Sequence, residues 1–131
     1  MKMILLMKAD PVAASRQFYE DELRMFKLKG DMWDSACTMV ANDSDDLELE
    51  LTTYNRQPSE EPAFTLTVAD CDEEFARLRA TTFSSGGRIV PNERGELEIF
   101  EYPAGKSFML EDPTGNRFLI HEDNPAEPGR V

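Results

Sequence analysis

Histidine is almost missing from this chain: His121 is the single one in 131 residues. A zinc or iron centre built from several imidazoles is therefore ruled out. Cysteine is equally sparse. Cys37 and Cys71 stand alone, without CxxC spacing, which excludes a disulfide framework and suits a reducing compartment. Cys71 follows a predicted helix cap, where the helix dipole can lower a thiol pKa, but an incidental cysteine explains it as well. Positive charge is also short. Against 26 acidic side chains there are 14 basic ones, for a net charge of -12. Such a surface repels phosphate backbones and anionic membranes, so neither nucleic acid nor a membrane is expected as partner, and neutral or cationic partners are favoured. No apolar run approaches the roughly 20 residues of a membrane span, and Met1 to Lys8 is too short for a secretory signal. The expectation is a cytoplasmic protein.

What the chain does have is alternation. Met3 to Lys8 has the length of a strand, and Asp10-Pro11 reads as a helix cap followed by a first-turn proline. Val12, Ala14, Ser15, Phe18, Tyr19 and Leu23 then recur at helical spacing. Phe26 to Ala41 reads as two short strands with a turn or bulge near Gly30. The acidic run Asn42 to Asp46 is a solvated turn, since it lacks the spaced ligands of a calcium loop. Leu47-Glu-Leu-Glu-Leu-Thr52 alternates without a break, with Glu48, Glu50 and Thr52 on one face.

Residues 56–62 are rich in Pro, Ser, Gln and Glu and read as a linker. The pattern then starts again. Ala63 to Val68 is a strand, Asp70-Cys-Asp-Glu73 fits a capping box, and Phe75, Ala76 and Leu78 continue a helix. Arg88 to Val90 and Leu97 to Phe100 are strand-like. Phe108 to His121 is a hairpin around the turn Asp112-Pro-Thr-Gly-Asn116. Lys8-Ala-Asp10 and Val68-Ala-Asp70 hold the same place in each half, so an internal duplication is expected. The predicted organisation is one domain, 1–131, with a first module over 1–55, the linker, a second module over 63–123 and a loose tail over 124–131. Each half alone would leave a sheet face bare, so two halves must cover each other or enclose a cleft.

In this order and spacing, Asp10-Pro11 with Phe18-Tyr19, Leu49-Glu-Leu-Thr52, Val68-Ala-Asp70 with Phe75 and Leu78, and Glu111-Asp-Pro-Thr-Gly-Asn-Arg117 resemble the vicinal oxygen chelate superfamily. That superfamily includes glyoxalase I, bleomycin-resistance proteins and extradiol dioxygenases. The resemblance implies an α+β fold of paired βαβββ modules, whose curved mixed sheets form a concave pocket, usually in a homodimer. It also implies four pocket-face positions that hold a metal in some members. By register these fall on Met3, Glu50, Ala63 and Leu119. Only Glu50 suits a hard or borderline cation, so no metal and no cofactor are expected.

The remaining pocket face, by alternation, is Met3, Leu5, Met7, Glu48, Glu50, Thr52, Ala63, Thr65, Thr67 and Leu119, with Trp33 and Met39 as additions. Apolar walls with a few polar groups suit a small organic ligand. Glu48 and Glu50 lie one strand repeat apart and, held ionised together, want a cation near them. His121 falls two residues beyond Leu119 on the same face and can move a proton, or fray into solvent. The expectation is a metal-independent protein of the bleomycin-resistance-like kind, holding a small cationic or aromatic ligand. Two alternatives stay open. One is a lyase, isomerase or dioxygenase-like enzyme with Glu50 as base, His121 as a lesser candidate, and a nonstandard metal. The other is a structural dimer whose pocket has closed.

Overall fold

The computed structural model describes residues 1–124, with the side chains of Met32 and Trp33 left out. The tail expected over 124–131 lies, beyond Asn124, outside the described residues. In chain order the elements are β1 (Met3–Lys8), α1 (Val12–Gln17), β2 (Phe26–Trp33), β3 (Ala36–Ala41), β4 (Leu47–Thr52), β5 (Pro62–Thr67), α2 (Cys71–Arg79), β6 (Arg88–Ile89), β7 (Phe100–Tyr102), β8 (Gly105–Glu111) and β9 (Arg117–Asp123). They form two open mixed sheets. The first runs β1-β4-β3-β2; the second runs β5-β9-β8-β6, with β7 also paired to β8. In each sheet the first strand lies parallel to the last, β1 with β4 and β5 with β9. This is the α+β architecture expected. The Leu97 to Phe100 strand is displaced: pairing begins only at Phe100.

Alternation decides which face each sheet buries. Leu49 and Leu51 are fully buried with Cys37, Met39 and Phe26 beneath α1. The helix does not continue regularly to Leu23. After Gln17 it widens into a π-helical turn, Phe18–Glu22, which turns the adjacent Phe18 and Tyr19, and Glu22, inward together. The first helix also lacks its expected cap. Pro11 is the N-cap residue without a side-chain hydrogen bond, while the Asp10 amide donates to Thr114 Oγ1 at 3.0 Å. In α2 the expected cap is present, with Asp70 accepting from the Glu73 amide at 2.9 Å.

The two sheets meet through their helix-side faces in one core. Phe118 of β9 stacks on Phe64 at 4.8 Å and on Tyr19 at 5.9 Å, and meets Phe18 edge-on at 6.3 Å. Polar groups fasten the same seam. Buried Glu22 accepts from Ser85 Oγ at 2.5 Å and the Ser85 amide at 3.1 Å, and Arg77 donates to the carbonyls of Glu22 and Leu23. The Asp112 to Asn116 turn belongs here too. Asp112 Oδ1 accepts the amides of Thr114, Gly115 and Asn116, and Asn116 Nδ2 donates to Lys8 O at the end of β1. With these faces spent on the core, the opposite face of each sheet points away from it. Among the described residues no helix is long and apolar enough to cross a membrane.

Candidate ligand-binding site

The register of the first sheet separates the expected site residues into two groups. Ile4 pairs with Glu48, Leu6 with Glu50 and Lys8 with Thr52, while Met3, Leu5 and Met7 pair with Leu47, Leu49 and Leu51. Paired residues share a face. Met3, Leu5 and Met7 therefore stand opposite Glu48 and Glu50, which corrects the expectation that all share one pocket wall. Met7 is core, Leu5 packs against it, and Met3 is exposed at the strand end. Met39 pairs with Leu49 and is fully buried, so it too leaves the site. The apolar residues on the Glu50 face are Ile4 and Leu6, 46% and 64% exposed. The side chain of Trp33 lies outside the described residues.

On that outward face the two glutamates differ. Glu48 is buried beneath Lys2 Nζ at 2.8 Å and Lys29 Nζ at 2.6 Å. Hydrogen bonds from these two ammonium groups hold its carboxyl below the usual carboxylate range. Glu50, half-buried between Leu6 and Thr38, forms no side-chain hydrogen bond or ion pair among the described residues. Thr52 is buried, and its Oγ1 accepts the amides of Tyr54 and Asn55, so it builds a turn instead of facing a ligand.

The outward face of the second sheet carries a cavity of about 550 Å³. Leu119, Met109 and Ser107 form its floor, Phe100 and Tyr102 one wall, and Val90, Pro91, Asn92, Glu93 and Glu98 the loop above. Its cation, Arg117, is already paired with Glu111 at 2.9 Å. Asn92 Nδ2 is buried and lacks a partner among the described residues. Apart from Pro62 at the start of β5, every residue lining this cavity belongs to the second half, so within one chain Glu50 and Leu119 do not share it. Thr65 and Thr67 are exposed and line a different cavity of about 540 Å³, at the seam with Phe26, Ala41 and Leu47. Ala63 is exposed and lines neither.

His121 does not fray into solvent. Its Nδ1 lies 2.8 Å from Tyr102 Oη and its Nε2 2.8 Å from Asp123 Oδ1. Tyr102, Phe100, Met109 and Ser107 were not legible as site residues in the linear pattern. A signal existed: in the hairpin, Ser107 faces His121 and Met109 faces Leu119, so both follow once the hairpin is paired.

The metal positions implied by the resemblance do not fit an ion. Moving the first from Met3 to Ile4 or Leu6 adds no donor, and Ala63 and Leu119 have none. Among the described residues, Asp70, Asp72 and Glu122 lie close enough to share an ion. Each has another partner: Asp70 caps α2, Glu122 accepts the Cys71 amide at 2.8 Å, and Asp72 is paired with Lys106.

No family model matches this sequence, and no curated protein does. Solved structures do share its fold. TnmS3, an antibiotic binding protein from Streptomyces sp. CB03234, superimposes with a TM-score of 0.71 at 17% identity, over 95% of this chain and 96% of its own. Lactoylglutathione lyase from Agrobacterium tumefaciens gives 0.66 at 17% identity, over 93% and 92%. The bleomycin-binding protein from bleomycin-producing Streptomyces verticillus, complexed with copper(II)-bleomycin, gives 0.63 at 23% identity, over 95% and 96%.

Proposed function

We propose, from the premise that this chain has the vicinal oxygen chelate fold, that it is a metal-independent small-molecule-binding protein. Its ligand occupies the cavity over the second sheet. The observation that supports this is the cavity's composition: an aromatic and aliphatic lining of Phe100, Tyr102, Met109 and Leu119, with Glu93 at the loop beside Glu98, which is itself paired with Arg94 at 2.8 Å. Such a wall favours a neutral or cationic aromatic compound over an anion. The exposed Ile4 and Leu6 suit burial against a second copy, so the working state is a homodimer. A copy laid across the second sheet by its first sheet would also bring Glu50 to the cavity.

Thermal-shift screening against neutral, cationic and anionic aromatics tests this reading. A ligand specific for the folded state raises the midpoint, by an amount set by its concentration relative to Kd. Shifts from neutral or cationic compounds that vanish in Leu119→Arg support the cavity. Shifts that survive that substitution overturn it.

The enzyme reading has one observation in its favour, the carboxylate of Glu50 without a partner among the described residues. A base of this kind removes a proton from carbon beside a carbonyl. Loss of turnover in Glu50→Gln with unchanged ligand affinity would move the assignment from binding to catalysis.

A further inference from the structure

We infer that Tyr102 reads a hydrogen-bond donor, a hydroxyl or an amine, on an aromatic ligand in the second-sheet cavity. This rests on the cavity reading above and names its ligand chemistry. Asp123 sets the direction of the hydrogen bonds. An ionised carboxylate only accepts, so its 2.8 Å contact places a hydrogen on His121 Nε2. In a neutral imidazole Nδ1 is then the acceptor. Tyr102 Oη, 2.8 Å from Nδ1, donates its one hydrogen there. What remains on Oη is lone pairs. Tyr102 lines the cavity, so the polar atom it can offer there is an acceptor, its hydrogen held by His121 and, through it, by Asp123.

The surroundings hold this relay in place. Ser107 faces His121 across the hairpin and is buried. A Cβ at Gly105 would run first into the Glu122 carbonyl and then lie 2.7 Å from His121 Cε1, so glycine there leaves room for both the partner strand and the imidazole. Phe100 stacks on Tyr102 at 5.3 Å and remains 66% exposed, which leaves ring surface for a planar ligand beside the acceptor oxygen. Tyr102 is a specificity-determining residue in this arrangement, and His121 and Asp123 position its hydrogen.

The test uses 2-naphthol, which has a hydroxyl donor, and 2-methoxynaphthalene, which has the same rings and oxygen without it. Both are titrated into the full chain at pH 8. The wild type is expected to bind the naphthol about fivefold more tightly, the range of one neutral hydrogen bond. Tyr102→Phe should bring the two within twofold. His121→Phe frees the tyrosine hydrogen to point at the ligand, so affinity for the ether should rise toward that for the naphthol, which a freely rotating hydroxyl can still pair with. A merely structural histidine would weaken both alike. Should His121→Phe fail to fold, the Tyr102→Phe comparison decides.

Equal affinities in the wild type, with both weakened by Phe100→Ala, overturn the donor reading and leave the cavity standing. Binding of neither compound, or binding that ignores Phe100→Ala, overturns the cavity reading and this inference with it.

Discussion

Tyr19 and Asp112 meet in the centre of the molecule: the phenol donates to Asp112 Oδ2 at 2.8 Å, with both residues buried. One comes from the first half and the other from the second. Burial and the neighbouring carboxylate raise the Tyr19 pKa well above its usual value, so the hydroxyl keeps its proton. Tyr19→Phe leaves Oδ2 with Asn116 Nδ2 alone. The expected loss is about 1–3 kcal/mol, read as a lower urea midpoint with an unchanged slope.

Gly87 and Gly30 predict opposite outcomes for the same substitution. A Cβ at Gly87 would enter the Phe18 ring, whereas one at Gly30 meets nothing within 4 Å among the described residues. Gly87→Ala should destabilise by about 1–3 kcal/mol through overpacking. Gly30→Ala should be neutral or slightly stabilising. Thermal midpoints of the two variants check the pair.

Glu48 makes acid stability pH-dependent in a stated direction. Its folded-state pKa is lowered from the ordinary 4.5 by Lys2 and Lys29. The ionised form is thus favoured by folding, so its contribution is present above pH 4.5 and is lost as the pH falls through the folded value. Glu48→Gln should be less stable than wild type at pH 7, and the difference should close as the pH falls below 4.5. Urea midpoints at these pH values measure it. A gap that widens on acidification would contradict the ion pairs.

Cys37 and Cys71 should both be unreactive in the folded protein. Burial, the largest effect at each, pushes both thiols up to about 11, which reverses the lowering that a position at the start of α2 suggested for Cys71. Iodoacetamide at pH 8 should label neither thiol until denaturant is added, as counted by mass spectrometry. Rapid labelling of Cys71 alone would show that the helix start, and not burial, controls it.

Leu6 provides the test of the homodimer. Light scattering during gel filtration should give a dimer for the wild type and a monomer for Leu6→Glu, whose charge would be buried in the proposed contact. A dimer in both would place the contact elsewhere.

The sequence by itself determined most of the strands, the second helix cap and the hairpin turn, because alternation, capping and turn chemistry act over a few residues; the architecture followed from the resemblance that the order of these elements carries. Leu47 to Thr52 shows this best, since its two faces read directly from the chain and appear in the structure as read. Tertiary structure alone decided which strand faces meet. Met3, Leu5 and Met7 alternate as well as Ile4 and Leu6 do, and nothing local says which set pairs in line with Glu50. A slip of one residue exchanges the two faces, and that register was set by the pairing of β1 with β4. His121 shows the same limit. Its neighbours in sequence made it a strand end near solvent, while hairpin pairing placed Ser107 across from it and Tyr102 and Asp123 against its two ring nitrogens. The ligand cavity is likewise a product of packing, because its loop, floor and aromatic wall come from segments that only the folded sheet brings together.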